Sequence, residues 1–170
     1  MNSSFENAER LGLSLRPMTE DDLPFLFGLY AGTRAEEVAA AGWPVEAQVQ
    51  FLQQQFQAQH HHYQTYYSDA EWLVVEREGA PVGRFYLEDW PSQIRIIDIA
   101  LLPEVRGRGF GAALITDVFC RAEAAAKKVS IHVEKNNPAM TLYTRLGFTK
   151  AEDKGVYDLL EWAPGAKASA

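Results

Sequence analysis

Ile94-Arg95-Ile96-Ile97-Asp98-Ile99-Ala100-Leu101-Leu102-Pro103-Glu104-Val105-Arg106-Gly107-Arg108-Gly109-Phe110-Gly111-Ala112-Ala113-Leu114-Ile115 is the stretch around which the chain is organised. It opens as an apolar, β-branched run, which reads as a strand. A short loop with a proline, two arginines and glycines follows. An apolar helical pattern then begins. A strand, a glycine-rich turn and a helix start present backbone N–H groups at the positive end of a helix dipole. Gly107, Gly109 and Gly111 let that backbone come close to a ligand. The loop is therefore expected to hold the pyrophosphate of a nucleotide-type cofactor.

The surrounding composition narrows the class. The chain has 170 residues, 47% apolar and 23% charged, the balance of one ordinary globular domain. Its formal net charge of −7 argues against broad nucleic-acid binding, which needs a basic face. A single cysteine, Cys120, excludes an intrachain disulfide and fits a reducing, cytoplasmic setting. The lead-in from Met1 to Arg10 has no apolar core, and no apolar run reaches the roughly 18 residues of a membrane span. Neither a signal peptide nor a membrane segment is expected.

Outward from the loop, the chain reads β α α β β β α β α β β. Residues 1–11 read as a polar lead-in and Leu13 to Arg16 as a first strand. Thr19-Glu20-Asp21-Asp22 is a helix-entry signal, and that helix is expected to stop near Gly32. A second helix is expected over 44–62, with Val45, Val49, Leu52 and Phe56 as its apolar face. His60-His61-His62 invites a metal reading. Consecutive helical residues point about 100° apart, however, so a solvated helix end is the expectation and no metal site is assigned. Strands follow at 72–76, 82–88 and 94–102, then a helix at about 109–126 and a strand at 129–133. Asn137 and Pro138 open a short helix that Gly147 ends, before a closing hairpin to Trp162. The fold class is α/β (α+β). The expected sheet is mixed and mostly antiparallel, with six to seven strands, helices on both faces and one central parallel crossover.

The glycines alone leave two readings open. Gly107-x-Gly109-x-x-Ala112 matches the loose dinucleotide fingerprint, and Glu134 follows at the end of the next strand, where a ribose ligand would sit. Against it, four bulky or charged residues separate the strand from Gly107, and only one parallel crossover is visible. The second reading explains more residues. Arg106-x-x-Gly109-x-Gly111 after a strand is followed by Asn136-x-x-Ala139-x-x-Leu142-Tyr143-x-x-x-Gly147-Phe148. Both motifs, in this order and at this separation, resemble the GNAT superfamily of N-acetyltransferases. The resemblance spans Leu13 to Trp162, so residues 1–162 are expected to form a single acetyltransferase domain, with a flexible tail over 163–170.

The resemblance implies acetyl-CoA as cosubstrate, with its pyrophosphate on the amides of Arg106, Gly107, Arg108, Gly109, Phe110, Gly111 and Ala112. It implies a bulged central strand splayed from its neighbour, here between Ile97–Leu102 and Val129–Val133. The N–H of Leu101 or Leu102 would polarise the thioester carbonyl, and Asn136 and Ala139 would flank the cofactor. Tyr143 resembles the family's general acid; the plainer alternative is a packed ring with a solvated hydroxyl. By strand alternation Asp98 shares a side with Ile96 and Ala100. It is a candidate base, or equally an ion-pair partner of Arg84 or Arg95, and Glu88, His132 and Glu134 are other base candidates. The acceptor side would include Trp43, Tyr66, Tyr67, Trp90, Asp153 and Tyr157. The expected function is direct acetyl transfer to a primary amine, on a small molecule or a peptide, in a ternary complex. A non-catalytic acyl-CoA sensor on the same fold is the alternative, and a homodimer is possible.

Overall fold

A computed structural model describes residues 5–166. The β-branched run around Ile94 and Ile96 lies in the middle of a seven-stranded sheet. The strands are β1 (Leu13–Pro17), β2 (Glu71–Arg77), β3 (Ala80–Asp89), β4 (Gln93–Leu101), β5 (Lys128–Glu134), β6 (Thr149–Lys154) and β7 (Tyr157–Trp162), in the spatial order β1-β2-β3-β4-β5-β7-β6. Every neighbouring pair is antiparallel except β4 and β5, which are parallel. This is the expected mixed sheet with one crossover. It excludes the dinucleotide fold, which needs a run of parallel strands.

Five helices cover the two faces: α1 (Glu6–Arg10), α2 (Leu23–Ala39), α3 (Val45–Tyr66), α4 (Phe110–Ala124) and α5 (Met140–Leu146). One face packs α1, α4 and α5 against Phe85, Leu87, Ile94, Ile96, Val129 and Ile131, all buried. Phe119 of α4 stacks on Trp162 of β7 with ring centroids 4.1 Å apart. On the other face α2 and α3 pack together through Leu26, Tyr30, Leu52 and Phe56. No helix among the described residues is long and apolar enough to cross a membrane.

Four boundaries differ from expectation, each for a physical reason. The lead-in contains a helix, α1, whose Ala8 is fully buried. Its start is capped from 110 residues away: the buried Asp117 of α4 accepts the Asn7 N–H (2.9 Å), the Asn7 Nδ2 (2.7 Å) and the Ala8 N–H (3.0 Å). The second helix, α2, continues through Gly28 and Gly32 to Ala39, because Leu29, Tyr30 and Val38 are buried along it. That burial outweighs the roughly 1 kcal/mol each glycine costs a helix. α3 extends to Tyr66, carried by aromatic contacts of Tyr63 with Trp72 (6.2 Å) and Tyr86 (6.2 Å). The tail expected over 163–170 begins as a turn, with the Ala166 N–H on the Ala163 carbonyl (3.0 Å), and its last four positions lie outside the described residues.

The Asp117 cap makes a direct prediction. Asp117→Ala leaves three donors without their acceptor and should destabilise the fold by about 1–3 kcal/mol. Urea denaturation measures this as a lower midpoint, and hydrogen exchange should show faster exchange first at residues 6–10.

Candidate active site

The site is built where β4 and β5 part. Their parallel pairing runs from Gln93↔Lys128 to Ile96↔Ile131 and then stops. On its other side β4 stays paired with β3, but the register shifts: Leu87 faces Ile96 and Tyr86 faces Asp98, so Ile97 is an extra, bulged residue. A bulge adds local twist and bends the strand. Beyond it, β4 remains with β3 and leaves β5, which stays with β7 as far as Glu134↔Tyr157. Ile97, Ile99 and Leu101 are consequently only half-buried, whereas Ile94 and Ile96 are enclosed. The result is a wedge with an unpaired strand edge along one wall.

The bulge also corrects the side assigned to Asp98. Alternation puts Asp98 with Ile96, but the extra residue turns Asp98 to the opposite face, together with Ala100, Arg84 and Tyr86. That face looks towards α2 and α3. There Asp98 Oδ2 accepts from Arg84 Nη2 (2.5 Å) and from the Tyr63 hydroxyl (3.3 Å). Of the two arginines considered, Arg84 is thus the ion-pair partner. Arg84 is buried, also donates to Gln59 Oε1 (3.1 Å), and sits over the Tyr86 ring at 5.2 Å. Arg95 instead donates to the Ser130 hydroxyl (2.8 Å), contacts His132 Nδ1 (3.1 Å) and stacks on Trp90 (4.8 Å). Burial and the Arg95 charge hold the His132 imidazole below its usual range.

The glycine loop lies at the end of β4. After a 3-10 turn at Pro103–Val105, Gly107 (φ 74°) and Gly109 (φ 82°) both take left-handed backbone, and Gly109 caps α4. A Cβ on either would meet nothing within 4 Å, so the loop borders open space. Arg106, Gly107, Arg108 and Gly109 are exposed, while Phe110 is buried under α4, and Gly111 and Ala112 are half-buried. Arg106 turns back on the loop, its Nε donating to the Leu101 carbonyl (2.9 Å). The Leu102 N–H donates to the Val82 carbonyl (2.8 Å), which removes it as a free donor. Antiparallel alternation turns the preceding N–H, that of Leu101, the other way, into the wedge. β3 lies tight against β4 here: a Cβ on Gly83 would stand 2.5 Å from the Ala100 carbonyl oxygen.

α5 closes the wedge from the other face. Asn137 accepts the Ala139 N–H on its side chain (2.8 Å), but α5 starts later than expected, at Met140 with Ala139 as its N-cap, so Asn137 braces the turn before the helix instead of capping it, and Gly147 ends α5 at φ 109°. Tyr143 is buried, edge-on to Phe148 at 5.9 Å. Its phenol is pushed up to about 12, first by burial and then by the charge of Asp98. Tyr143 belongs to the core on the α4 and α5 side of the sheet, whereas Asp98 lies on the opposite face. Ala139 is half-buried at the foot of the helix and Asn136 is exposed just before it.

A shallow cleft of about 510 Å³ opens beside the end of β5, lined by Arg34, Glu37, Glu134, Asn136, Val156 and Tyr157 among others. Arg34 bridges to Glu134 (3.2 Å) and Glu37 (3.5 Å), and Glu134 also accepts from the Tyr157 hydroxyl (3.5 Å). Of the expected acceptor-side residues, Tyr157 lines this cleft. The others lie elsewhere: Tyr67 and Trp90 stack in parallel (6.4 Å) near the start of β4, Trp43 packs edge-on to Phe51 (5.3 Å), Tyr66 meets His62 (4.6 Å), and Asp153 is bound by Lys135 (2.6 Å). Arg34 was invisible as a site residue because α2 was expected to end before it. The histidine run is distributed along the aromatic layer, His60 against Phe56 and His62 against Tyr66.

Comparisons with known proteins identify the family and the fold. The model of the acetyltransferase (GNAT) family matches residues 36–148. The chain belongs to that family. A mycothiol acetyltransferase of Corynebacterium aurimucosum is 38% identical over 76 residues, covering 44% of this chain and 25% of that protein. Another mycothiol acetyltransferase, of Corynebacterium glutamicum, is 32% identical over 96 residues, covering 55% of this chain and 33% of that protein. The matched part is thus a quarter to a third of those relatives. Among solved structures, the PaiA N-acetyltransferase of Thermoplasma acidophilum in complex with coenzyme A superposes with a TM-score of 0.66 at 14% identity, covering 89% of this chain and 98% of that one. A GNAT family acetyltransferase of Elizabethkingia anophelis with acetyl-CoA bound gives a TM-score of 0.59 at 16% identity, with the same coverage. At these identities the structures share the fold.

The burial of Tyr143 has a spectroscopic consequence. Its phenol should ionise only near pH 12, so ultraviolet difference spectra between the protein and its Tyr143→Phe variant should show no phenolate signal up to and through about pH 10, where an ordinary tyrosine is half ionised. A signal growing in near the ordinary tyrosine range would mean that the ring is not enclosed.

Proposed function

We propose that the chain is an acetyl-CoA-dependent N-acetyltransferase acting by direct transfer to a primary amine. The observation that carries this reading is the wedge itself: an unpaired strand edge, with a glycine loop opening a helix at one end and a buried tyrosine over it. Gly107 and Gly109 border open space that a pyrophosphate can enter, since a Cβ on either would meet nothing within 4 Å. The amides from Arg106 to Ala112 receive the phosphates, and Arg108 adds charge. The unpaired edge of Ile97 to Leu101 offers backbone groups to the amide-bearing pantetheine arm, as an edge strand offers them to a peptide. Asn136 and Ala139 border the same space. The names of the two curated relatives support acetyl transfer. A single exposed cysteine is in keeping with a reducing compartment such as the cytoplasm.

Acetyl-CoA supplies an activated acyl group at a thioester and a thiolate leaving group. The Leu101 N–H donates to the carbonyl oxygen as negative charge develops there. Tyr143, held protonated by its burial, gives its hydroxyl proton to the departing sulfur. The attacking amine must lose its own proton. Asp98 and Glu134 stand on β4 and β5, the two walls of the wedge, on the same face of the sheet. Asp98 is tied to Arg84, so Arg84 acts on the reaction by positioning that carboxylate, and water completes the relay. No covalent enzyme intermediate is required, and Cys120 has no role in the transfer.

Two variants test the reading. Tyr143→Phe should lower kcat by about 100-fold while CoA binding, read by thermal shift, stays within about twofold. Gly109→Glu places a carboxylate among the phosphate-binding amides on backbone that favours glycine, and should abolish the CoA shift. A thiol-release assay with acetyl-CoA over a panel of amines completes the test. A CoA response without turnover of any amine would favour an acyl-CoA sensor on the same fold.

A further inference from the structure

The cleft at the end of β5 sets two carboxylates and two cations side by side. Lys135 is occupied by Asp153 (2.6 Å) and Asp158 (3.7 Å). Arg34 is held differently. It gives one nitrogen to Glu134 (3.2 Å) and another to Glu37 (3.5 Å), one contact each. A guanidinium has five N–H donors in a planar fork, so donor capacity remains for a ligand. Glu134 is likewise half used: its Oε1 takes both Arg34 and the Tyr157 hydroxyl, and among the described residues no hydrogen bond engages Oε2. Both side chains are about a quarter to a third exposed, at 30% and 26%, so each is held in place yet reachable.

We propose that the acceptor is a free α-amino acid, whose ammonium lies on Glu134 and whose carboxylate lies on Arg34. This rests on the acetyl-transfer reading above. An α-amino acid carries its ammonium and carboxylate on one carbon, and Arg34 and Glu134 present the two complementary charges in contact with each other (3.2 Å). A carboxylate engages an arginine fork with two parallel hydrogen bonds, which gives orientation as well as affinity. The other amine classes fit less well. A polyamine or aminoglycoside brings several cations to a cleft that already holds Arg34 and Lys135. A lysine side chain or a peptide N-terminus brings an ammonium but nothing for the Arg34 fork. Val156 and Tyr157, exposed at the rim, offer apolar surface to the amino acid's side chain. Glu134 and Asp98 lie on one sheet face, so an amine drawn to Glu134 arrives at the mouth of the wedge.

The test uses the common L-amino acids, their primary amides and spermidine. Each is measured by isothermal titration against the CoA-loaded protein and by thiol release with acetyl-CoA. At least one free amino acid should bind, and should be acetylated with kcat/KM about tenfold or more above its own amide and above spermidine. Arg34→Met should bring the acid and its amide to within about twofold while the CoA thermal shift is unchanged, and Arg34→Lys should keep part of the preference. Glu134→Gln should raise KM for every amine. An amide or spermidine that binds as well as the best amino acid would overturn the proposal, as would an acid preference that survives Arg34→Met in a folded variant. If CoA binds and no amino acid does, the zwitterion assignment alone fails. If CoA itself does not bind, the acetyl-transfer reading fails with it.

Discussion

The parting of β4 from β5 is the constraint on which the rest of the molecule depends. Strands in a sheet normally satisfy both edges, and an unpaired edge inside a fold is costly. Here the bulge at Ile97 makes the parting unavoidable: β4 follows β3, while β5 follows β7. One extra residue therefore does two things. It opens a wedge whose edge can be completed by a ligand with amide groups, and it turns Asp98 onto the face where α2 and α3 lie. The tight approach of Gly83 to the Ala100 carbonyl keeps the β3 side of β4 closed at the same place. The ligand edge and the protein edge of that strand are thereby kept distinct.

Charges around the wedge are paired before any substrate arrives. Arg84, Gln59, Tyr63 and Asp98 form one connected group beneath α3, flanked by Tyr86, under Arg84 at 5.2 Å, and Trp72, stacked on Tyr63 at 6.2 Å. Burial pushes the Tyr63 phenol up, and the nearby Asp98 carboxylate adds to the rise. Burial weighs against the Arg84 charge, but Asp98, Tyr86 and Tyr63 outweigh it, so the guanidinium stays cationic. Removing one partner of such a group leaves an uncompensated buried charge, which costs several kcal/mol, on the order of 3–5. The Arg34–Glu134 pair is the contrasting case. It is more exposed and only singly bonded, so exchange of its contacts for a ligand is cheap.

Much of this was legible in the residues. The two motifs, Arg106 to Gly111 and Asn136 to Phe148, are local patterns of loop and helix, and local patterns survive in a sequence. The order of elements along the chain followed from hydrophobic periodicity, and the one parallel pair from the single strand–helix–strand unit. Long-range effects were not legible. The α1 helix depends on a cap from Asp117 that lies 110 positions away. The extent of α2 depends on burial that overrides two glycines. The facing of Asp98 depends on a bulge, which slips the alternation by one residue and leaves no mark in composition. The Leu102 N–H is withdrawn by a partner on β3. Arg34 entered the site only because α2 continued past Gly32 and carried it to Glu134.

The central claim is that the wedge and the glycine loop receive the two ends of CoA. Amide hydrogen exchange with and without CoA tests it most directly, because the groups concerned are backbone N–H groups. Protection should appear at Ile99 to Leu101 and at Arg106 to Ala112, with a weaker effect at the start of α5, and β6 should be unaffected. Binding of CoA with no protection in either of the first two segments would contradict the account.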